Sequence, residues 1–266
     1  MLLLSGPNMG GNELKYVTEC IETGWVSSVG AYVDQFEIMS AAFAGTKYAV
    51  ATSSGTTALH ICLVMMGVNS NDYVIAPNIT FIATLNAIKY TGDSPILIDT
   101  DEHNWQMDLN LLEKFLSNET EQKNGGCYFK KDGRRIPIIM PVHVLGNICD
   151  MDRLLSLAKQ HNITVIEDST EALGSYYKSK HAGSFGLLGT FSYNGNKIIT
   201  TGGGGMIVTD DEVLAKKAKH LTTQAKSDPF EYMHDEIGYN YRLVNVAAAM
   251  GVAQMEIGRA SWRERV

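Results

Sequence analysis

Cysteine and proline are scarce in this chain of 266 residues, which holds four of the first and six of the second. Cys20, Cys62, Cys127 and Cys149 are scattered with no Cys-x-x-Cys pair, so neither a metal site nor a disulfide framework is expected, and the four read as buried thiols. No apolar run approaches the roughly 20 residues that a membrane span needs, and Met1 to Ser5 is too short for a secretory signal. The expectation is a cytoplasmic protein with no membrane partner. Without a signal, the Asn-x-Thr triplets at Asn78, Asn118 and Asn162 carry no glycosylation meaning. An excess of positive charge is also missing. The net charge of −7 and an isoelectric point near 5.5 leave no basic face for phosphate backbones, and no nucleic-acid partner is expected. Neither Gly-x-Gly-x-x-Gly after the first strand nor the Walker-type glycine loop occurs, so dinucleotide and P-loop binding are unsupported.

What is present is the composition of a soluble globular protein, 45% hydrophobic and 19% charged, in a length that fits one large domain or a domain plus part of a second. From residue 47 to about 170, short β-branched runs alternate with stretches of helical spacing, the grammar of an α/β fold. The runs are Tyr48–Val50, Tyr73–Ile75, Pro95–Ile98, Pro137–Met140 and Ile163–Ile166. Their near-continuous apolarity predicts parallel strands covered on both faces. Between them Thr56–Met66, Phe81–Tyr90, Leu109–Leu116 and Met151–His161 are predicted as helices, and Cys127–Pro137, centred on Asp132-Gly133, as a hairpin excursion. After Asp168 come short strands, Leu188–Tyr193 and Met206–Thr209, then a helix from Asp211 to about Thr223, a polar aromatic crossing loop over Lys226–Asn240, and an Ala-rich helix from Asn245 to Met255. Glu256–Val266 carry three arginines and a tryptophan and break the apolar spacing; they are read as a non-native tail.

Three clusters carry chemistry. Phe191 to Thr201, followed by Gly202–Gly205, sets Lys197 in an apolar, hydroxyl-rich turn, where desolvation would make its amine a nucleophile toward an aldehyde; the plainer alternative is a surface lysine beside a glycine turn. Val165–Glu171 places Asp168 at the carboxyl end of a buried strand, the usual ligand edge of an open α/β sheet, although the same residue could cap a helix. Thr52 to Leu59 is a strand end, a tight turn and a helix start; its free N–H groups and helix dipole suit a phosphate, and its hydroxyls would equally cap an ordinary helix. Phe81 lies just after the next strand and could lie flat on a planar cofactor or belong to the core. His143 reads as a hydrogen-bonded structural residue, and Tyr239, Tyr241 and Arg242 as loop-stabilising rather than phosphate-binding.

The segments Gly24–Ser28, Ser54-Gly55-Thr56, Pro141-Val142-His143, Glu167-Asp168, Gly183-Ser184-Phe185-Gly186, Phe191-Ser192, Lys197 and Gly238–Arg242 together resemble the DegT/DnrJ/EryC1/StrS family of sugar aminotransferases. The wording of Asp168–Gly174 and Asn194–Gly205 is most similar to the LegC-type branch, which aminates a UDP-4-keto-6-deoxy-N-acetylhexosamine. The resemblance implies the large domain of a fold type I transferase dependent on pyridoxal 5′-phosphate (PLP), a mostly parallel mixed sheet flanked by helices, with the small C-terminal domain largely missing. It implies a PLP-binding region over 1–235, the start of the C-terminal region over 236–255 and the non-native tail from 256. It further implies that Lys197 forms the Schiff base and shuttles a proton and that Asp168 pairs with the pyridine nitrogen. Ser54, Gly55, Thr56, Thr57 and Ser192 would line the phosphate, Phe81 would stack on the ring, Glu171 would belong to the cofactor-binding set, and Asn240 would reach the cofactor of a neighbouring subunit in a homodimer. The implied reaction moves an amino group from L-glutamate to C4 of a nucleotide-linked 4-keto-6-deoxy sugar, with UDP as the expected nucleotide. Glu171 and Gly203 depart from residues common in the family, Gln or His and Glu respectively. Relatives that replace the lysine with histidine are dehydratases, an alternative against which Lys197 argues; a silent PLP-fold binding module is the other alternative.

Overall fold

The computed structural model describes residues 6–228 and 230–263, with side chains as far as Ile257. In chain order the helices are α1 (Glu13–Thr23), α2 (Ala31–Ala44), α3 (Gly55–Met65), α4 (Ala83–Tyr90), α5 (Leu109–Glu119), α6 (Met151–Gln160), α7 (Glu212–Thr222) and α8 (Asn245–Arg263). The strands are β1 (Tyr48–Thr52), β2 (Asp72–Pro77), β3 (Ser94–Ile98), β4 (Thr120–Lys123), β5 (Gly126–Phe129), β6 (Arg135–Ile139), β7 (Thr164–Asp168), β8 (Tyr176–Tyr177), β9 (Lys180–His181), β10 (Leu188–Ser192), β11 (Gly205–Thr209), β12 (Lys226–Asp228) and β13 (Met233–His234). No helix among the described residues is long and apolar enough to cross a membrane. The reading of Met1 to Ser5 lies outside the described residues, as do the last three residues of the expected tail. The chain divides into two compact units, Leu59–Phe191 and the flanking segments up to Ala58 and from Ser192.

In the Leu59–Phe191 unit the strands run parallel in the order β10-β7-β6-β2-β3. The apolar runs predict these strands because parallel strands bury both faces, and Val74, Ile75, Ile138, Ile139 and Ile166 are almost wholly inaccessible. α5 and α6 begin at Asp108 and Asp150, whose carboxylates accept the N–H groups of Asn110 and Leu111 and of Arg153. Their apolar faces, with Leu112, Leu116, Leu154 and Leu157, join Ile75, Ile139 and Val165 in one core. The predicted hairpin is present: β5 pairs antiparallel with β6 at Tyr128 and Arg135, around Gly133 at φ 73. β5 also pairs with β4, which Thr-Glu-Gln-Lys gave no apolar signal to reveal.

At the amino ends of these strands, Asp72 pairs with Arg135 at 2.7 Å and Asp93 with Arg134 at 3.3 Å, while Arg134 stacks on Tyr73. The Asp93 side chain is fully buried, and burial pushes its carboxyl up to about 6, aided by nearby Asp72 and opposed by the Ser94 N–H, Arg134 and Lys89. The neutral acid is therefore favoured by folding. This contribution is complete below the unfolded value of about 4 and is lost as pH rises through about 6. Asp93→Asn should match the wild type in stability near pH 4 and exceed it at pH 8, by up to ~3 kcal/mol. Urea unfolding at several pH values checks this; a difference that stays flat from pH 4 to 8 contradicts it.

In the flanking unit β1 pairs antiparallel with β11, with Val50 opposite Ile207. This corrects the expectation of a parallel first strand, since burial on both faces produces the same apolar run in either direction. α8 packs on α1 and α2. A Cβ added at Gly251 would lie 2.7 Å from the Phe36 ring, so only glycine admits α2 this closely. Asn245 fastens the first turn of α2 and the segment before it: its Oδ1 accepts the Tyr32 and Val33 N–H groups and its Nδ2 donates to the Trp25 carbonyl. α8 runs past the end expected at Met255 to Arg263, and within it Glu256 accepts from Asn12 Nδ2 at 2.8 Å and from the Tyr16 hydroxyl at 3.0 Å. All four cysteines are free and buried, as expected; burial raises the thiol pKa of Cys62, and that of Cys149 to about 12.

Candidate active site

In the Leu59–Phe191 unit, β7 delivers Asp168 to its carboxyl end. The strand is held to the neighbouring segment by the Asp168 N–H donating to the Pro141 carbonyl and the His143 N–H donating to the Asp168 carbonyl. No helix follows, so Asp168 is not a helix cap. Its Oδ1 accepts the Thr170 N–H at 3.2 Å and its Oδ2 the Thr84 hydroxyl at 2.6 Å, which fixes the plane of a carboxylate only 3% exposed. Phe81 is 71% exposed, which removes the core alternative and leaves a flat aromatic face available. Glu171 is half-buried, and its Oε2 accepts the Leu145 N–H at 2.8 Å, holding a leucine that sits at φ 55.

The flanking unit carries the other sequence-predicted residues. Ser54 and Thr57 cap α3 reciprocally: the Ser54 N–H donates to Thr57 Oγ1 and the Thr57 N–H to Ser54 Oγ. The capping and anion-binding readings therefore share the segment. The N–H groups of Gly55 and Thr56 have no acceptor among the described residues, and they open the positive end of an 11-residue helix. Gly205 packs directly beneath this turn; a Cβ there would lie 2.3 Å from the Ser54 carbonyl oxygen. The turn bearing Lys197 hangs from Tyr193. The Tyr193 carbonyl accepts the Thr201 N–H and the Thr200 hydroxyl, its N–H donates to the Gly204 carbonyl, and its ring is buried against Phe36 at 4.8 Å. Within the turn the Lys197 N–H donates to the Asn194 carbonyl, and the lysine is half-buried. Ser192, at the end of β10, is also half-buried, and Asn240 is exposed on a backbone bridge to Thr223. Tyr239 and Tyr241 stack at 5.0 Å, and Arg242 donates to Gln224, the loop-stabilising role expected for them.

The sequence reading missed Thr84 and the reach of Glu167. Glu167 is completely buried and accepts from His143 Nε2 and from the N–H groups of Gly183, Phe185 and Gly186. His143 is thus the hydrogen-bonded structural histidine that was expected. Only the co-occurrence of Pro-Val-His, Glu-Asp and Gly-Ser-Phe-Gly hinted at this. Among the described residues His220, Asp235 and Glu236 bring potential metal ligands within 4.8 Å of one another, but the cluster is internally paired: His220 bonds Asp235 and Lys217 bonds Glu236.

Each unit by itself carries groups that fit part of PLP: the flanking unit an open helix amino terminus with adjacent hydroxyls and a lysine amine, the Leu59–Phe191 unit a buried carboxylate with its plane fixed and an exposed aromatic ring. The comparisons agree with this class of protein. The DegT/DnrJ/EryC1/StrS aminotransferase family model matches residues 7–264. The chain is 44% identical over 250 residues to GDP-perosamine synthase of Escherichia coli O157:H7, covering 94% of this chain and 64% of the relative. Among solved structures it is similar to PseC of Helicobacter pylori, an aminotransferase involved in the biosynthesis of pseudoaminic acid, at 28% identity and a TM-score of 0.84, over 97% of this chain and 66% of that one. It is also similar to Spr1654 of Streptococcus pneumoniae in its PLP-form, at 25% identity and a TM-score of 0.84, over 97% and 67% of the respective chains. The chain belongs to the DegT/DnrJ/EryC1/StrS aminotransferase family. It spans just under two thirds of the length of the curated relative it matches at 44% identity.

Proposed function

We propose that the chain is the PLP-binding part of a sugar-nucleotide aminotransferase. The observation that carries this reading is the buried Asp168 carboxylate, held by two donors at a strand end, in a member of an aminotransferase family that retains Lys197. When bound, PLP supplies an electron sink for the carbon that gains or loses the amino group. Lys197 would hold the cofactor by its Nζ and would carry a proton to and from the reacting carbon, the general acid–base part of the reaction. Asp168 holds the pyridine nitrogen in its protonated state. Gly55 and Thr56 N–H groups, with the Ser54, Thr56, Thr57 and Ser192 side chains, hold the phosphate; Phe81 covers the ring. Glu171 borders the ring while positioning Leu145. Asn240 reaches the cofactor of a partner subunit, which makes the working unit a homodimer. The same reading divides the chain into a PLP-binding region over 1–235, the start of a C-terminal region over 236–255 and a non-native tail over 256–266, the last tested by resequencing the source DNA.

The proposed reaction passes an amino group from L-glutamate to C4 of a nucleotide-linked 4-keto-6-deoxy sugar in two half-reactions that use the same lysine. The sequence wording favours a UDP-linked N-acetylhexosamine. The similarity to a GDP-perosamine synthase supports a GDP-linked hexose as the second reading. Incubation with glutamate and each keto-sugar nucleotide, read by mass spectrometry, should yield the amino sugar from one of them. A deoxygenated sugar instead would identify a dehydratase. A protein that shows no visible absorption band with added PLP would be a silent module.

A further inference from the structure

Every titratable group proposed above for cofactor chemistry was legible in the sequence, but the group that orients Asp168 was not. Thr84, on the first turn of α4, is wholly buried, 84 residues from Asp168 in sequence, and its Oγ1 lies 2.6 Å from Asp168 Oδ2. An ionised carboxylate only accepts, so the single hydroxyl proton of Thr84 is committed to Asp168. Thr84 Oγ1 also lies 2.7 Å from Thr80 Oγ1, and this contact must therefore take its proton from Thr80. The direction of the chain is thus fixed: Thr80 donates to Thr84, and Thr84 to Asp168. The Thr80 hydroxyl is also 3.0 Å from the Phe81 carbonyl. That carbonyl is the weaker claimant, because giving it the proton would leave two hydroxyl oxygens facing each other at 2.7 Å with no hydrogen between them.

We propose that Thr84, oriented by Thr80, is a positioning residue for Asp168. It holds the carboxylate in one plane, in which Asp168 would present a lone pair to the cofactor nitrogen, and it ties the Phe81 segment to the same carboxylate. The consequence is mechanical coupling within this unit. The aromatic ring that covers the cofactor and the acid that fixes its ring nitrogen are connected by two hydroxyls rather than by independent loops, and aligned hydroxyl chains of this kind strengthen each link. Thr170 N–H, at 3.2 Å, is the longer second contact and leaves the carboxylate free to tilt without Thr84.

This inference rests on the PLP reading, and the experiment separates the two. Thr84→Val removes the hydroxyl at nearly constant shape, Thr84→Ser retains it, and Thr80→Val cuts the chain at its half-buried outer end, where folding is least at risk. PLP affinity is measured by titrating the visible band of the purified protein without substrate, and the pH dependence of that band is followed for each variant. Loss of one hydrogen bond to a charged group predicts an affinity about tenfold weaker for Thr84→Val, with a smaller loss for Thr80→Val. The midpoint of the band's pH titration should shift in the same order, and Thr84→Ser should return both toward the wild type. In turnover the valine variants should lower kcat while leaving KM for the sugar nearly unchanged. Carboxyl carbon-13 resonances of the cofactor-free protein report on the contact directly, the Asp168 signal moving in Thr84→Val. If wild-type protein fails to bind PLP, the functional reading falls and the inference with it. If wild type binds and Thr84→Val binds equally well with an unchanged pH midpoint, only the inference is overturned.

Discussion

Lys197→Ala should abolish turnover, reducing the rate of each half-reaction by about a thousandfold or more, because in the proposed function one residue supplies both the covalent anchor and the mobile proton. The turn itself should survive. It is held by backbone contacts of Tyr193, Gly204 and Thr201 and by the buried Tyr193 ring, none of which uses the lysine side chain. On the proposed reading the variant should therefore remain folded and still bind PLP through its other proposed contacts, without the band that borohydride bleaches when it reduces a lysine–cofactor bond. Spectra before and after borohydride, with mass analysis of the peptide containing residue 197, check this. A Lys197→Ala protein that keeps a reducible yellow chromophore would move the covalent anchor to another lysine and overturn the assignment. Added primary amines should restore part of the proton transfer in this variant, which separates a chemical role from a structural one.

The sequence disclosed those elements whose signal is local. β2, β3, β6 and β7 advertise themselves as short apolar runs, α5 and α6 as amphipathic stretches with acidic caps, and α3 as an apolar stretch behind hydroxyl caps, so each lies within two or three residues of its observed bounds. Asp168 and Lys197 stand out as candidates because their neighbours repeat a family wording, not because their chemistry shows in isolation. The direction of β1 was not legible, since Tyr-Ala-Val-Ala-Thr is equally buried whether its partner runs with it or against it. β4 was missed because its exposed Glu-Gln-Lys belongs to an excursion that needs little apolar surface. The contacts that orient the site lie further out of reach. Thr84 finds Asp168 only because α4 and β7 are brought together by the fold, and Thr84 in the sequence is one more threonine on a helix. The exposure of Phe81 was similarly undetermined, because an aromatic residue after a strand reads as core until the packing is known.

Glu167 supports the largest expected loss of stability. Its two carboxylate oxygens face only donors: Oε2 accepts from His143 Nε2 at 2.9 Å and the Gly183 N–H at 2.8 Å, and Oε1 accepts from the N–H groups of Phe185 and Gly186, both at 2.6 Å. The side chain thus closes the Gly183–Gly186 turn onto β7. The glycines are required by the same packing, since a Cβ at Gly186 would lie 2.6 Å from the Val165 carbonyl oxygen and one at Gly189 would run into the backbone of Gly183. Glu167→Ala strands these donors in the interior and should cost about 3–5 kcal/mol. Glu167→Gln is the sharper test, because it has nearly the same shape. Its amide group must point a donor at one of the two donor pairs whichever way it is flipped, so it should still cost about 2–3 kcal/mol. A carboxylate kept for shape alone would tolerate glutamine. Because Glu167 and Asp168 are consecutive on β7 and point to opposite faces, loosening the turn should also weaken PLP binding in both variants, although neither change touches the cofactor. Urea unfolding of the cofactor-free protein with parallel PLP titration checks both outcomes. A Glu167→Gln protein within about 0.5 kcal/mol of wild type would show that the four contacts are not acting together.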